Sequence, residues 1–155
     1  MKPIRIDGVE SYDWTQILQE CQSEGHNMVN RLLADFSSGG NRFDAPGEVL
    51  LVCLSGSSVV AVAGLNREPD ESLPRAGRIR RLYVVPQFRR QSLGRSLVEQ
   101  IAALAEPYLN TLTANVGKPD AYIFYERLGF TPVRHRSITH KKQLARNHTM
   151  ASIVA

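Results

Sequence analysis

The chain has 155 residues, 43% hydrophobic and 22% charged, the size and balance of one globular domain with its own core and not of a low-complexity or fibrous protein. Nineteen Lys and Arg against fifteen Asp and Glu leave a formal charge of +4, too small an excess to argue for nucleic acid. Cys21 and Cys53 both sit inside apolar patterns, which predicts two buried reduced thiols and argues against a disulfide framework or a metal pair.

The start, MKPIRIDGVESYDW, has no apolar leader core, and no run approaches a membrane span; a cytoplasmic protein is expected. KPIRI suggests a short strand. Trp14, Ile17, Leu18 and Cys21 recur at i, i+3, i+4 and i+7, the stripe of a helix. Met28, Val29, Leu32, Leu33 and Phe36 make a second stripe, stopped by SSGG at 37–40. VLLVCL (49–54), the turn SGSS and VVAVAGL (59–65) read as a buried antiparallel pair. After a polar loop, RIRRLYVV (78–85) is another strand, ended by Pro86.

Leu93, Leu97, Ile101 and Leu104 share a helical face, and TLTANV (111–116) is a short strand. Ala121, Phe124, Tyr125 and Leu128 form the last helical stripe, with Gly129 placed for a left-handed C-terminus. FTPVRHRSITHKKQL supplies one or two final strands, and the tail 145–155 has no clear pattern. The order β α α β β β α β α β, with room for one more strand, predicts a single α/β domain over 1–155. Adjacent strands without intervening helices favour a mixed sheet over a doubly wound one.

Seven arginines (75, 78, 80, 81, 89, 90 and 95) fall between residues 75 and 95, with no Asp or Glu among them. A solvated basic face is the plain reading. However, FRRQSLGRSL (88–97) lies between a strand end and a helix start, where main-chain N–H groups are unpaired and the helix dipole is positive. Such a turn is an anion site suited to a pyrophosphate. Gly94 permits close backbone approach, and Ser92 is small. Neither the G-x-x-x-x-G-K-[ST] nor the G-x-G-x-x-G phosphate-loop spacing is present. In the preceding strand Ile79 and Leu82 are three apart, out of phase for one face, so a β-bulge is expected near Arg80 and Arg81.

RLYVVPQFRRQSLGRSLVEQIAALA resembles the acetyl-CoA-binding motif of the GNAT superfamily of N-acetyltransferases, and AYIFYERLGF (121–130) is similar to that family's second signature. The resemblance covers roughly residues 50–140. It implies a GNAT-like fold, a central, mostly antiparallel sheet of six to seven strands with about four helices. It also implies acetyl-CoA as acyl donor, direct transfer to a primary amine of a small molecule, and no metal. The main chain of Leu82, Tyr83 and Val84 would then meet the pantetheine arm. Arg89, Arg90, Gln91, Ser92, Leu93, Gly94 and Arg95 would surround the pyrophosphate. Lys118 and Tyr122 would complete the donor site, and Tyr125 would protonate the departing thiolate.

Three departures from the family pattern stand out. Ser92 replaces a glycine, Lys118 an asparagine, and Arg80 the glutamate that often serves as base. A guanidinium cannot be a base at neutral pH. Glu48, Asp70, Glu71, His135 and His140 are the remaining candidates, none placed by a motif. Arg80 or Arg81 could instead favour an acceptor bearing a carboxylate. A protein or aminoacylated-RNA acceptor, a non-catalytic acyl-CoA-binding role and a homodimer formed through a late strand stay open. A nucleic-acid module is disfavoured, because exposed stacking aromatics are not interleaved with the arginines.

Overall fold

A computed structural model describes residues 1–145; of the unpatterned tail, all but Ala145 lies outside the described residues. Strand β1 (Ile4–Arg5) leads to helices α1 (Thr15–Ser23) and α2 (Met28–Ser38), then to β2 (Val49–Ser55), β3 (Ser58–Arg67) and β4 (Ala76–Val84). Helix α3 (Leu93–Ala105), β5 (Thr111–Ala114), α4 (Tyr122–Arg127), β6 (Thr131–Pro132) and β7 (His140–Gln143) follow. The strands form one sheet in the order β1-β2-β3-β4-β5-β7-β6, with β4–β5 its parallel pair. This is the mixed α/β architecture that the strand and helix order predicts.

The stripes explain the packing. Ile17 and Cys21 of α1, Val29, Leu32 and Phe36 of α2, and Leu97, Val98 and Ile101 of α3 are all buried. Strands β2 and β3 are buried along nearly their whole length, so helices cover both faces, as their uninterrupted apolar runs require. Cys21 and Cys53 lie unbridged in this core. Helix α2 runs two residues past its last apolar residue and stops at Gly39 with φ 79°. Gly129, φ 91°, likewise takes the left-handed conformation expected of it.

Two features of β4 position the site. The first is its bulge. Gly64 pairs with Arg80 and Val62 with Tyr83, so Ala63 alone faces both Arg81 and Leu82, and Arg81 has φ 60°. The phase slip between Ile79 and Leu82 has this cause. The second is how little of β4 meets β5. Ala76, Gly77 and Arg78 pair with Thr111, Leu112 and Thr113, and the strands then part. Those three rungs also explain why β4 begins at Ala76 and not at Arg78. At the far end β5 stops at Ala114, earlier than its apolar pattern suggests, because the Val116 amide donates to Thr139 Oγ1 instead of continuing a ladder.

Candidate active site

Beyond β4, Pro86–Phe88 form a single 3-10 turn, with the Phe88 amide bonded to Val85 O at 2.9 Å and the Arg89 amide to Pro86 O at 3.2 Å. The chain then turns through Arg90 (φ 65°) and Ser92 (φ 62°), and the first main-chain bond of α3 runs from Ser96 N to Ser92 O at 2.9 Å. The six amides from Arg90 to Arg95 therefore have no acceptor among the described residues. Alternating left-handed and ordinary residues gather successive N–H groups into a concavity, and the positive end of the α3 dipole adds to it. An anion is the natural counterpart of such a loop.

The arginines of this segment do not share one task. Arg89 is engaged by its neighbours: its Nε donates to Val84 O at 2.9 Å, and its terminal nitrogens grip Glu24, at the end of α1, at 3.0 and 2.6 Å. Its guanidinium also lies 5.5 Å from the Tyr83 ring centroid, and the Tyr83 hydroxyl donates to the same carboxylate. The side chains of Arg89 and Tyr83 thus tie the loop to the end of α1 through Glu24. Arg89, then Tyr83, hold the Glu24 carboxyl below its usual pKa, while burial and then Glu24 push the phenol of Tyr83 up. Arg95 pairs with Glu99 on the α3 surface at 2.7 Å.

Val85 N donates to Val60 O at 2.9 Å, and Tyr83 pairs with Val62. Residues 83 and 85 therefore face β3, and Leu82 and Val84 turn their main-chain groups toward the gap left by β5. Val84 O accepts Arg89 there but keeps a second lone pair. Tyr125 packs edge-on against Phe124 and Phe130, with centroids at 5.1 and 5.3 Å. Burial pushes its phenol up to about 12, so it is protonated at neutral pH. Its hydroxyl makes no hydrogen bond among the described residues and is not among their sealed, unpartnered atoms, so it touches solvent.

Gly94 also answers a packing need. A Cβ on it would stand 3.1 and 3.2 Å from the Phe124 ring, so the glycine makes room for an α4 aromatic. Tyr122 stacks edge-on against His140 at 4.9 Å, and Lys118 precedes the 3-10 turn Pro119–Ala121 that opens α4.

The candidate bases are mostly committed elsewhere. Glu48 accepts the amides of Ala45 (3.3 Å) and Arg67 (2.9 Å). Asp70 accepts the Ser72 amide (2.9 Å) and the hydroxyls of Ser72 (2.7 Å) and Ser137 (2.8 Å), clasping the β3–β4 loop to the β6–β7 loop. Those bonds, Ser72's first, hold its carboxyl far below the usual range, which makes it a poor base. His135 Nδ1 accepts the Ser137 amide at 3.0 Å. His140 is fully buried. Thr139 Oγ1 takes the Val116 amide and has Ala114 O at 3.2 Å as its acceptor, which leaves His140 Nδ1, 2.9 Å away, as a donor. Nε2 of His140 is then unpartnered, 3.9 Å from Glu126 Oε2. Glu71 is exposed.

Two polar cavities open beside β4. One, of about 620 Å³, is lined by Asp70, Ser72, Arg78, Asn115 and Ser137. The other, of about 400 Å³, is lined in part by Asn41, Asn66, Arg67 and Arg80. Between them Glu68, whose side chain has no exposed surface, holds Arg78 by two bonds at 2.9 and 3.0 Å and accepts the Thr113 hydroxyl at 2.8 Å. Neither Glu24 nor Glu68 was foreseen. For Glu24 one signal exists, since a carboxylate in the last turn of a helix opposes the dipole unless something else holds it.

Comparison with known proteins agrees with this geometry. A family model described as "Acetyltransferase (GNAT) domain" matches residues 46–132. A crystal structure of a protein from Exiguobacterium sp. 255-15, assigned as an acetyltransferase, superposes with a TM-score of 0.81 at 28% identity, covering 99% of this chain and 98% of its own. GNAT-family acetyltransferase from Staphylococcus aureus Mu50 gives 0.71 at 15% identity, with 92% and 99% covered. An acetyltransferase from Streptococcus agalactiae 2603 gives 0.70 at 17%, with 92% and 98% covered, and both of these speak to the fold alone. No curated protein matches the sequence.

Proposed function

Because the chain belongs to the GNAT acetyltransferase family, and is therefore an acyltransferase drawing on an acyl-CoA donor, we propose that it moves the acetyl group of acetyl-CoA to a primary amine of a small molecule, in one step within a ternary complex. The observation that carries this reading is the run of six unpaired amides from Arg90 to Arg95, adjoining the open edge of Leu82 and Val84. The amides and the α3 dipole receive the pyrophosphate. The pantetheine arm lies along Leu82 and Val84 as an added strand would. Tyr122 and Lys118 flank its far side.

The amine lone pair attacks the thioester carbonyl, the C–N bond forms and the C–S bond breaks. The departing thiolate takes the Tyr125 hydroxyl proton, and the amine gives up a proton to water, which returns one to the phenolate. Products are the acetamide and free coenzyme A. Attack needs the neutral amine, so kcat/KM should rise with pH up to the pKa of the acceptor. Tyr125, at about 12, stays protonated throughout that range.

Calorimetric titration with acetyl-CoA and thiol release with an amine panel test the reading. Tyr125→Phe should lower kcat by about 10²-fold with acetyl-CoA affinity and melting temperature little changed. No heat with acetyl-CoA would overturn the donor site, and an undiminished kcat in the phenylalanine variant would remove the phenol from the mechanism.

A further inference from the structure

Of the three neighbouring arginines on β4, two are occupied. Arg78 is held by Glu68, and Arg81 lies 3.7 Å from Asp35 with its Nε buried and unpartnered. Arg80, half-buried, makes no hydrogen bond or ion pair among the described residues. Its nitrogens are not among the sealed atoms of those residues, so they open into the cavity of about 400 Å³ that Arg80 lines.

Most other charged groups on that cavity already have duties. Arg42 Nε donates to Phe36 O at 3.1 Å and Arg67 Nε to Pro46 O at 3.0 Å. Asp35 faces Arg81, Glu48 takes two amides, and Asp44 is exposed. Asn41 and Asn66 bond to each other at 2.8 and 2.9 Å and form a neutral wall. Burial, then the charges of Arg78 and Arg81, weaken the hold of Arg80 on its proton, against the smaller opposing pull of Glu68 and Asp35.

We propose that Arg80 binds a carboxylate carried by the acceptor itself, so that the enzyme acetylates small amino acids in preference to plain amines. This rests on the acetyl-transfer reading above. Arg80 stands two residues before Leu82, across the bulge at Arg81, so a carboxylate gripped by its guanidinium leaves a nearby amine beside the thioester. A planar guanidinium fits a carboxylate with two parallel bonds, a fit that an amide or a methyl group cannot reproduce. The chemistry is unchanged: the amine nitrogen bonds to the acetyl carbon, the thiolate leaves and is protonated, and the carboxylate takes no part.

The test measures thiol release for glycine, β-alanine, 4-aminobutyrate, leucine and glutamate. Each is set against its decarboxylated amine and its carboxamide, in the wild type and in Arg80→Gln and Arg80→Lys. The expected result is at least one acid preferred over both partners by roughly 10- to 100-fold in kcat/KM. That preference should be lost in Arg80→Gln and partly kept in Arg80→Lys, with acetyl-CoA affinity unchanged in both. Equal or better rates with the neutral partners, a preference that survives Arg80→Gln, or no release with any acid would overturn the proposal. The first two leave acetyl transfer intact. Failure of acetyl-CoA to bind would instead overturn the reading on which the proposal rests.

Discussion

Ser92 has a φ of 62°, occupies the N-cap of α3 and makes no side-chain capping bond there. A left-handed residue with a Cβ costs about 1–2 kcal/mol relative to the ordinary conformation. Glycine escapes that cost but gives up about 0.5–1 kcal/mol through its freer unfolded chain. Ser92→Gly should therefore stabilise the protein by roughly 0.5–1 kcal/mol, a rise of about 1–4 °C in Tm for a domain of this size. Ser92→Ala keeps the Cβ and should leave Tm where it is. Thermal unfolding by circular dichroism, repeated as urea titrations, measures both variants. Because the amides at Arg90 to Arg95 already converge, acetyl-CoA affinity should not change. A Tm for the glycine variant equal to or below that of the wild type would refute the strain argument. Lost affinity would mean that the serine hydroxyl itself touches the ligand.

Glu24→Gln should lower Tm at neutral pH and raise the KM for acetyl-CoA, by freeing Arg89 and slackening the loop. Because Glu24 is held below its ordinary value of 4.5, its stabilisation is complete above that pH and lost as pH falls through the lowered value. The Tm gap between variant and wild type should close in acid, and a constant gap would exclude the ion pair as its cause. Glu68→Ala leaves Arg78, 15% exposed, without its buried partner and should destabilise by about 3–5 kcal/mol in urea unfolding. Adding Arg78→Met to it should recover part of the loss, and strictly additive losses would contradict the pairing.

Much of the geometry of the candidate site could be read along the chain because its signals are local. The bulge follows from the spacing of Ile79 and Leu82. The unpaired amides follow from a small basic turn ahead of a helix, and Tyr125 from one helical stripe. What the sequence conceals are pairings across long separations. Nothing near Glu24 announces Arg89, nothing near Glu68 announces both Arg78 and Thr113, and Asp70 meets Ser137 only once two distant loops are folded together. Gly94 shows a mixed case. The turn itself asks for a small residue, and an aromatic thirty positions away adds a second reason for one. Likewise, Arg80 and Arg81 look equivalent in sequence, and only the bulge separates the engaged guanidinium from the open one. Insertion of β7 between β5 and β6 had no local sign either.

The narrow join between β4 and β5 bears on how the molecule resists opening. Among the described residues, three rungs of strand pairing, with the side-chain bonds of Glu68 to Thr113 and Asp70 to Ser137, tie the β1–β4 half of the sheet to the half that carries β5, β6 and β7. On the proposed binding mode, the donor's arm would lie alongside those rungs and lengthen the seam where the strands part, so saturation with donor should protect remote strands as well as the residues it touches.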